Sequence, residues 1–167
     1  MPAAPFKAGA IQLASGSNLQ ANLLEITKHA EIAAQEGARL LVLPENFAYM
    51  GSTCSELVQF RESLGSGQLQ DFLSQLAARL GLWIVGGTLP VEATDSSKVR
   101  AACMVFDDGG QRRAYYDKIH LFDVRLEENG EQYEESATFE PGDQVVVLDT
   151  PFGRVGLAVC YDLRFPE

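Results

Sequence analysis

The chain has 167 residues, of which 46% are hydrophobic and 22% are charged, and its formal net charge is −10. This composition is typical of a globular domain with a substantial core. The acidic balance argues against a surface that binds nucleic acid or an anionic membrane, and no stretch is long and apolar enough to cross a bilayer.

The three cysteines, Cys54, Cys103 and Cys160, are odd in number and widely spaced. The sequence contains no Cys-x-x-Cys or Cys-x-x-His pair, which argues against a structural zinc site and a disulfide scaffold. The N-terminus lacks an apolar run with basic flanks, so no signal peptide is expected. We therefore expect a protein of a reducing compartment, the cytosol.

The first half of the chain predicts strands that alternate with amphipathic helices. The predicted strands are residues 6–14, 39–44 and 82–88, and the predicted helices are residues 17–36 and 66–80. Ser17 or Asn18 can cap the first helix, and Gly37 and Gly81 follow the helices as C-terminal stops. The nearly all-apolar run at 39–44 favours a strand buried on both faces.

The second half predicts antiparallel pairs and one long acidic loop. Strands at 100–106 and 112–116 flank Asp107-Asp-Gly-Gly110, and strands at 144–149 and 154–159 flank a second turn. Loops are expected at 46–65, with a short helical piece near 55–62, and at 91–98. Residues 117–143 form a long irregular segment, and eight of the chain's 23 acidic residues lie between Asp123 and Asp143. Loops of this length are usually functional.

This order of elements predicts an α/β or α+β layered fold with helices on one face of a sheet. No long helix is predicted after Thr88, so the other face of the sheet is expected to lack cover.

Three reactive side chains follow apolar strands: Glu45, Lys118 and Cys160. Ligand sites in α/β sheets gather where strands end. A cysteine nucleophile needs a base for its proton and a cation for the charge that develops at the reacting centre. The alternative is that Cys160 is a core residue and that Glu45 and Lys118 are solvated. The residues alone leave both interpretations open.

Three stretches resemble the signature motifs of the nitrilase superfamily, the carbon–nitrogen hydrolases, and of its Nit branch in particular. They are Leu-Val-Leu-Pro-Glu-Asn-Phe at 41–47, Tyr-Asp-Lys-Ile-His-Leu-Phe-Asp at 116–123, and Val-Gly-Leu-Ala-Val-Cys-Tyr-Asp-Leu-Arg-Phe-Pro-Glu at 155–167. The likeness spans the whole chain, with the motifs in the right order and spacing.

The resemblance implies a role for each of the three side chains. Cys160 would be the nucleophile, and Glu45 the general base that takes its proton and later activates water. Lys118 would stabilise the oxyanion, helped by the backbone N–H of Tyr161.

The resemblance also implies a further active-site glutamate after the lysine. The context Tyr-Glu-Glu-Ser favours Glu135 over its neighbour Glu134. Around residues 126–132 the chain lacks the Pro-Gly turn expected in this branch, a departure that would alter the loop over the pocket.

The implied reaction is hydrolysis of a non-peptide carbon–nitrogen bond in a small amide, through a thioester, with release of ammonia. It needs no metal or organic cofactor, and nitrile or carbamoyl substrates belong to the same chemistry. The implied fold is a four-layer α-β-β-α sandwich in an enzyme that is a dimer when intact. Residues 1–167 would form one carbon–nitrogen hydrolase domain, incomplete at its C-terminus.

Two rival functions remain. The chain could be a catalytically silent binding or assembly module, or a redox-sensing thiol protein. The second rival has less support, because no resolving cysteine lies close to Cys160 in sequence.

The motifs carry further expectations about single residues. His120 is expected to order its loop rather than to relay protons, and Asp162 and Arg164 to pair and fix the turn after Cys160. Cys54 and Cys103 are expected to be inert. The aromatic residues near the motifs are candidates for pocket walls and equally for core; they are Phe47, Tyr49 and Phe122. The Cys160 thiol is expected to be poorly activated in this chain.

Overall fold

The computed structural model describes residues 5–125 and 130–166. Within these ranges the strands are β1 Lys7–Ala10, β2 Ala38–Val42, β3 Trp83–Val85, β4 Leu89–Glu92, β5 Val99–Phe106, β6 Arg112–Asp117, β7 Asp123–Arg125, β8 Gln132–Glu134, β9 Val147–Thr150 and β10 Gly153–Gly156. The α-helices are α1 Leu19–Gln35 and α2 Gln68–Leu80, and the 3-10 helices are Cys54–Phe60, Glu135–Ala137 and Cys160–Arg164. Most of the departure predicted at 126–132 lies outside the described residues.

The main element of the fold is one mixed sheet of six strands. Strands β1, β2 and β3 are parallel neighbours, and β5 runs antiparallel to β3, β4 and β6. Its order is β1-β2-β3-β5-β4, with β6 on the other edge of β5. Two small antiparallel pairs, β9–β10 and β7–β8, accompany the sheet. The predicted α/β class and both predicted hairpins are confirmed.

The two α-helices cover one face of the sheet, as the sequence predicts. In α1 the apolar stripe buries Leu23, Ile26 and Ala30 against the sheet and α2. Asn18 caps this helix by accepting the Ala21 N–H at 3.1 Å. Gly81 ends α2 in the left-handed conformation, with φ of 63°. Among the described residues, no helix is long and apolar enough to span a membrane.

The other face of the sheet is partly covered by the β9–β10 hairpin, a cover that the helix count did not predict. Trp83, Cys103 and Val105 pack against Leu157 and Val159 there. The β9–β10 strands thus form part of a second layer over the sheet.

The prediction that residues 39–44 are buried on both faces is wrong. Leu41 is fully buried under the helices, but Val42 on the opposite face is 37% exposed. The β9–β10 layer reaches only the part of β2 near Leu40. An all-apolar run therefore does not by itself show how far a second layer extends.

Two predicted boundaries also differ. The loop predicted at 91–98 begins later, because Leu89–Glu92 pairs antiparallel with β5 as an edge strand. An edge position accepts Pro90, which lacks an N–H for the ladder. The strand predicted at 154–159 ends at Gly156, although the Leu157 N–H still donates to the Val146 carbonyl at 3.0 Å. Leu157 and Val159 are buried.

Gly87 brings the end of β3 close to the chain that carries Glu45. Its φ is +51°, and a Cβ built there would lie 1.9 Å from the Pro44 carbonyl oxygen. Both the backbone angle and the contact require a residue without a side chain. Pro44 directly precedes Glu45, so this close approach helps to set where that carboxylate lies.

We expect Gly87→Ala to lower the free energy of unfolding by about 3 kcal/mol, because the methyl group meets rigid backbone and the angle is strained. Chemical denaturation measures the change. Gly16→Ala is the matched control, since its Cβ would meet nothing within 4 Å and its φ is not positive. Equal free energies of unfolding for the two variants would contradict the claim that position 87 requires glycine.

Candidate active site

The three side chains that follow strands converge on one pocket. Glu45 follows β2 and Pro44, Lys118 follows β6, and Cys160 follows the β10 segment. All three line a cavity of about 370 Å³. The other lining residues are Asn46, Cys54, Phe122, Gln132, Tyr133, Glu134, Glu135 and Phe139.

Lys118 lies at the centre of the polar contacts. Its Nζ donates to Glu45 Oε1 at 2.9 Å and to the two oxygens of Glu135 at 2.8 and 2.9 Å. The lysine side chain is 2% exposed, against 26% for Glu45 and 14% for Glu135. Burial acts to lower the pKa of Lys118, but the hydrogen bonds to Glu135 and Glu45 outweigh it and raise that pKa. The ammonium group is therefore held in its charged form.

The backbone fixes Lys118 on both sides. Its N–H donates to the Ala101 carbonyl at 3.0 Å, and its own carbonyl accepts the Gly142 N–H at 2.9 Å. A Cβ at Gly142 would lie 2.4 Å from the Asp117 carbonyl oxygen, so this approach needs glycine. The irregular acidic segment thus closes directly over the lysine.

Of the two adjacent glutamates, Glu135 rather than Glu134 reaches Lys118. Glu135 begins the 3-10 helix Glu135–Ala137, and its Oε2 also accepts the Phe122 N–H at 2.6 Å. Glu134 ends β8, is exposed, and forms part of the pocket wall.

Cys160 occupies a strained turn. Its φ is 47°, in the left-handed region that side chains other than glycine rarely adopt. It is also the first residue of the 3-10 helix Cys160–Arg164. The Tyr161 N–H belongs to the first turn of this helix, where backbone donors have no partner within the helix. Strained residues of this kind cluster at active sites.

Asp162 holds the Cys160 turn in place. This buried carboxylate accepts the Val159 N–H at 2.8 Å, the Tyr116 hydroxyl at 2.6 Å and the His120 N–H at 2.9 Å. Burial acts to raise the pKa of Asp162, but these hydrogen bonds outweigh it and lower that pKa. The carboxylate is therefore stabilised in its charged form.

The predicted pairing of Asp162 with Arg164 is wrong. The carboxylate is occupied by the groups named above and by His120 Nδ1 at 2.8 Å, while Arg164 is exposed. The His120 ring stacks on Phe165, with ring centroids 3.8 Å apart. Histidine at 120 thus has an ordering role in the loop, as expected.

The Cys160 thiol and the Glu45 carboxylate line the same pocket. Burial and the negative charge of Glu45 raise the pKa of the thiol, and the positive charge of Lys118 opposes them. The thiol is therefore held protonated next to a carboxylate that can accept its proton.

We expect the apparent pKa of the Cys160 thiol to lie above the ordinary cysteine value of about 8.5, because nearby carboxylates and burial disfavour the thiolate. The rate of alkylation by iodoacetamide against pH measures it. A variant with Cys54→Ser and Cys103→Ala leaves Cys160 as the reporting thiol. An apparent pKa well below 8.5 would contradict a poorly activated nucleophile.

Sequence reasoning missed the positions of three residues at the site, Thr88, Asn46 and Cys54. Thr88 is 1% exposed, and its Oγ1 accepts the Asn46 N–H at 2.8 Å, which fixes the turn after Glu45. Asn46 itself has φ of 52°. Cys54, expected to be inert, lies in the pocket wall, and burial and Glu135 raise its pKa. Only strand pairing and the fold of residues 46–65 bring these side chains near Glu45.

Of the three aromatic residues that were candidates for the pocket wall, one lines the pocket and two are buried in hydrophobic clusters. Phe122 lines the pocket and contacts the Tyr161 ring edge-on at 5.0 Å between centroids. Phe47 is fully buried in the core under the helices, and Tyr49 is buried beside Phe139. Within the described ranges, no group of three or more His, Cys, Asp or Glu side chains could hold a metal ion.

The chain is similar to known amidases. It is 38% identical over 157 residues to a deaminated glutathione amidase from Yersinia enterocolitica, covering 93% of this chain and 54% of the relative. It is 35% identical over 164 residues to an omega-amidase from Xenopus laevis, covering 98% and 58%. The chain thus spans about half the length of these curated relatives.

Comparison with solved structures and with a family model agrees with this sequence similarity. The crystal structure of the C. elegans NitFhit protein superposes with a TM-score of 0.85 and 27% sequence identity, covering 99% of this chain and 40% of that one. The carbon-nitrogen hydrolase family model matches residues 7–167. The fold, the three strand-end motifs and this match together show that the chain belongs to the carbon–nitrogen hydrolase family.

Proposed function

We propose that the chain hydrolyses the carbon–nitrogen bond of a small amide through a thioester on Cys160 and releases ammonia. One observation carries the proposal: Glu45, Lys118 and Cys160 line one pocket, in which the Lys118 ammonium donates to Glu45 at 2.9 Å. The omega-amidase and deaminated glutathione amidase activities named for the relatives support a small amide as substrate.

The first half of the reaction forms the thioester. Glu45 accepts the thiol proton as Cys160 Sγ attacks the amide carbon. Negative charge develops on the former carbonyl oxygen, where the Lys118 ammonium and the Tyr161 N–H are suited to stabilise it. The protonated Glu45 then gives its proton to the leaving nitrogen, and ammonia departs.

The second half releases the acid. Glu45 removes a proton from water as the water oxygen attacks the thioester carbon, and the Cys160 sulfur then leaves and takes that proton back from Glu45. A second oxyanion forms at the same position. Glu135 takes no proton in this scheme. Its two oxygens hold Lys118 in place, so we assign it a positioning role.

Three further proposals concern the whole protein. Residues 1–167 are part of a single carbon–nitrogen hydrolase domain, supported by the match over residues 7–167. The protein is cytosolic, supported by its cysteine usage. The intact protein is a homodimer that binds neither nucleic acid nor membrane, a proposal that rests on the family resemblance and the net charge of −10.

The test is product analysis with the folded chain. Incubation with a short amide, such as the omega-amide succinamate, is expected to give ammonia and the acid in equal amounts. Added hydroxylamine is expected to divert the acyl group to a hydroxamate, because it attacks the thioester in place of water. A folded chain that forms neither product from a panel of small amides would contradict the proposal and favour the binding or assembly module.

A further inference from the structure

Glu45, the proposed general base, is held less firmly through its own side chain than Glu135 is. One of its oxygens, Oε1, accepts from Lys118 Nζ at 2.9 Å, and the side chain is 26% exposed. Glu135, by contrast, contacts Lys118 with both oxygens and also accepts the Phe122 N–H. The position of the Glu45 carboxylate therefore depends strongly on the backbone on either side of it.

The backbone before Glu45 is held by β3 and the residues directly after it. The Leu43 N–H donates to the Val85 carbonyl at 2.9 Å. Pro44 comes next, and its carbonyl oxygen lies so close to Gly87 that a Cβ there would be 1.9 Å away. The direction in which the chain enters Glu45 is thus fixed by its neighbour in the sheet.

The backbone after Glu45 is held by the side chain of Thr88. Asn46 has φ of 52°, in the left-handed region that a residue with a side chain adopts only at a cost. Thr88 Oγ1 accepts the Asn46 N–H at 2.8 Å and donates to Asn46 Oδ1 in a longer contact of 3.4 Å. A hydroxyl group can both accept and donate, whereas a methyl group can do neither. The Thr88 hydroxyl therefore stabilises the turn that directs Glu45 toward the pocket.

Thr88 is itself fixed in the fold. It is 1% exposed, so residues of this chain enclose it. On one side of it the Gly86 N–H donates to the Met104 carbonyl at 2.8 Å, and on the other side Leu89 pairs with β5. Thr88 thus connects the central strand of the sheet to the turn after Glu45.

Resting on the function proposed above, we propose that Thr88 is a positioning residue for the reaction, whose hydroxyl holds the general base Glu45 at the thiol of Cys160. Thr88 is not among the described residues that line the pocket, so it acts through Glu45 and not through contact with the substrate. Packing alone would be satisfied by valine, which has the same shape. The positioning role requires the hydroxyl.

Two substitutions separate the hydroxyl from packing. Thr88→Val keeps the shape and removes the hydroxyl, and Thr88→Ser keeps the hydroxyl and removes the methyl group. If Thr88 only filled space, serine would be the more harmful change, whereas positioning predicts that valine is. Thr88→Ala is a second variant without the hydroxyl, for the case that Thr88→Val does not fold. Thr27→Val is the matched control, because it removes a threonine hydroxyl that donates to the Leu23 carbonyl within α1.

The first measurement reports the position of Glu45 without turnover. It uses the background of the thiol measurement above, in which Cys160 is the only cysteine, and alkylation by iodoacetamide, in which the thiolate displaces iodide. Burial and the negative charges of Glu45 and Glu135 raise the pKa of this thiol, and the positive charge of Lys118 lowers it. The alkylation rate at about pH 7, divided by the limiting rate at high pH, gives the thiolate fraction and cancels changes in access.

We expect Glu45→Gln to raise the thiolate fraction about tenfold and Thr88→Val to raise it about threefold, since a displaced carboxylate disfavours the thiolate less. Thr88→Ser and Thr27→Val should leave it within about 1.5-fold of the parent. In a Glu45→Gln background Thr88→Val should have no further effect, because the group through which it acts is gone. An unchanged fraction in the variants without the hydroxyl, an effect of Thr88→Ser as large as that of Thr88→Val, or an effect that persists without Glu45 would overturn the proposal.

The second measurement is ammonia release from a small amide such as succinamate. Thr88→Val should lower kcat about tenfold and change KM by less than about twofold, and Thr88→Ser should restore kcat to near the parent value. An equal kcat for Thr88→Val and the parent would overturn the proposal and leave the amidase function standing. Ammonia release by none of these proteins, together with the expected thiolate fractions, would contradict the amidase function and leave the placement of Glu45 by Thr88 standing.

Discussion

Replacing Cys160 with alanine is expected to reduce ammonia release by about a thousandfold or more, because the thiol proposed to form the thioester is lost. The fold should be retained, since alanine accepts the turn no less easily than cysteine does. Ammonia release with a small amide and a thermal unfolding curve measure the two effects. Activity that survives Cys160→Ala would contradict the thiol mechanism.

Two companion variants separate chemistry from stability. Cys103→Ala removes a thiol that is 3% exposed and lies on the other face of the sheet; it should keep the activity and lose about 1 kcal/mol of stability. Cys160→Gly should be as inactive as Cys160→Ala yet about 1 kcal/mol more stable than the parent, because glycine relieves the positive φ. A loss of stability in Cys160→Gly would show that the turn is not strained.

Replacing Lys118 with methionine is expected to lower the free energy of unfolding by about 3 kcal/mol, because two carboxylates then face each other without their shared cation. Activity should fall by about a hundredfold or more, since the charge opposite the oxyanion is lost. Urea denaturation and ammonia release measure the two changes. An unchanged free energy of unfolding would contradict the claim that the contacts of Lys118 with Glu45 and Glu135 stabilise the fold.

Lys28→Met is the control. Lys28 is exposed, and its only ion pair among the described residues is a long surface contact of 3.8 Å with Glu25. This substitution should change the free energy of unfolding by less than about 0.5 kcal/mol.

The effect of Lys118→Met on stability should also depend on pH. Its pKa is raised in the folded state, so its contribution is full below about pH 10.4 and is lost as the pH rises through the higher folded value. The stability difference between parent and Lys118→Met should therefore shrink only at strongly alkaline pH.

The convergence of Glu45, Lys118 and Cys160 on one pocket was predictable from sequence because each residue lies in a local pattern. Glu45, Lys118 and Cys160 each follow an apolar strand, and strand ends meet at one edge of a sheet. The context around Glu135 singled it out from Glu134 through the family resemblance. The two α-helices were also predictable, because the capping residues and the apolar spacing that indicate each helix lie within or next to that helix.

The hydrogen bonds that hold the site residues in place could not be predicted from sequence, because they join residues far apart in the chain. Asp162 and Tyr116 are 46 positions apart, and Thr88 and Asn46 are 42 positions apart. Only the order and register of the strands bring such pairs together, and no local pattern gives that order. The pairing of Asp162 with Arg164 was wrong for this reason: it used the nearest charge in sequence instead of the nearest in space.

The Asp162 carboxylate links the turn that carries Cys160 to the turn that follows Lys118. It binds the backbone on the Cys160 side through Val159 and on the Lys118 side through His120. The two turns should therefore move as one rigid unit, which keeps the distance from sulfur to ammonium constant while the rest of the pocket fluctuates. Substitutions in the two turns should then be non-additive in a double-mutant cycle, although the substituted residues need not touch.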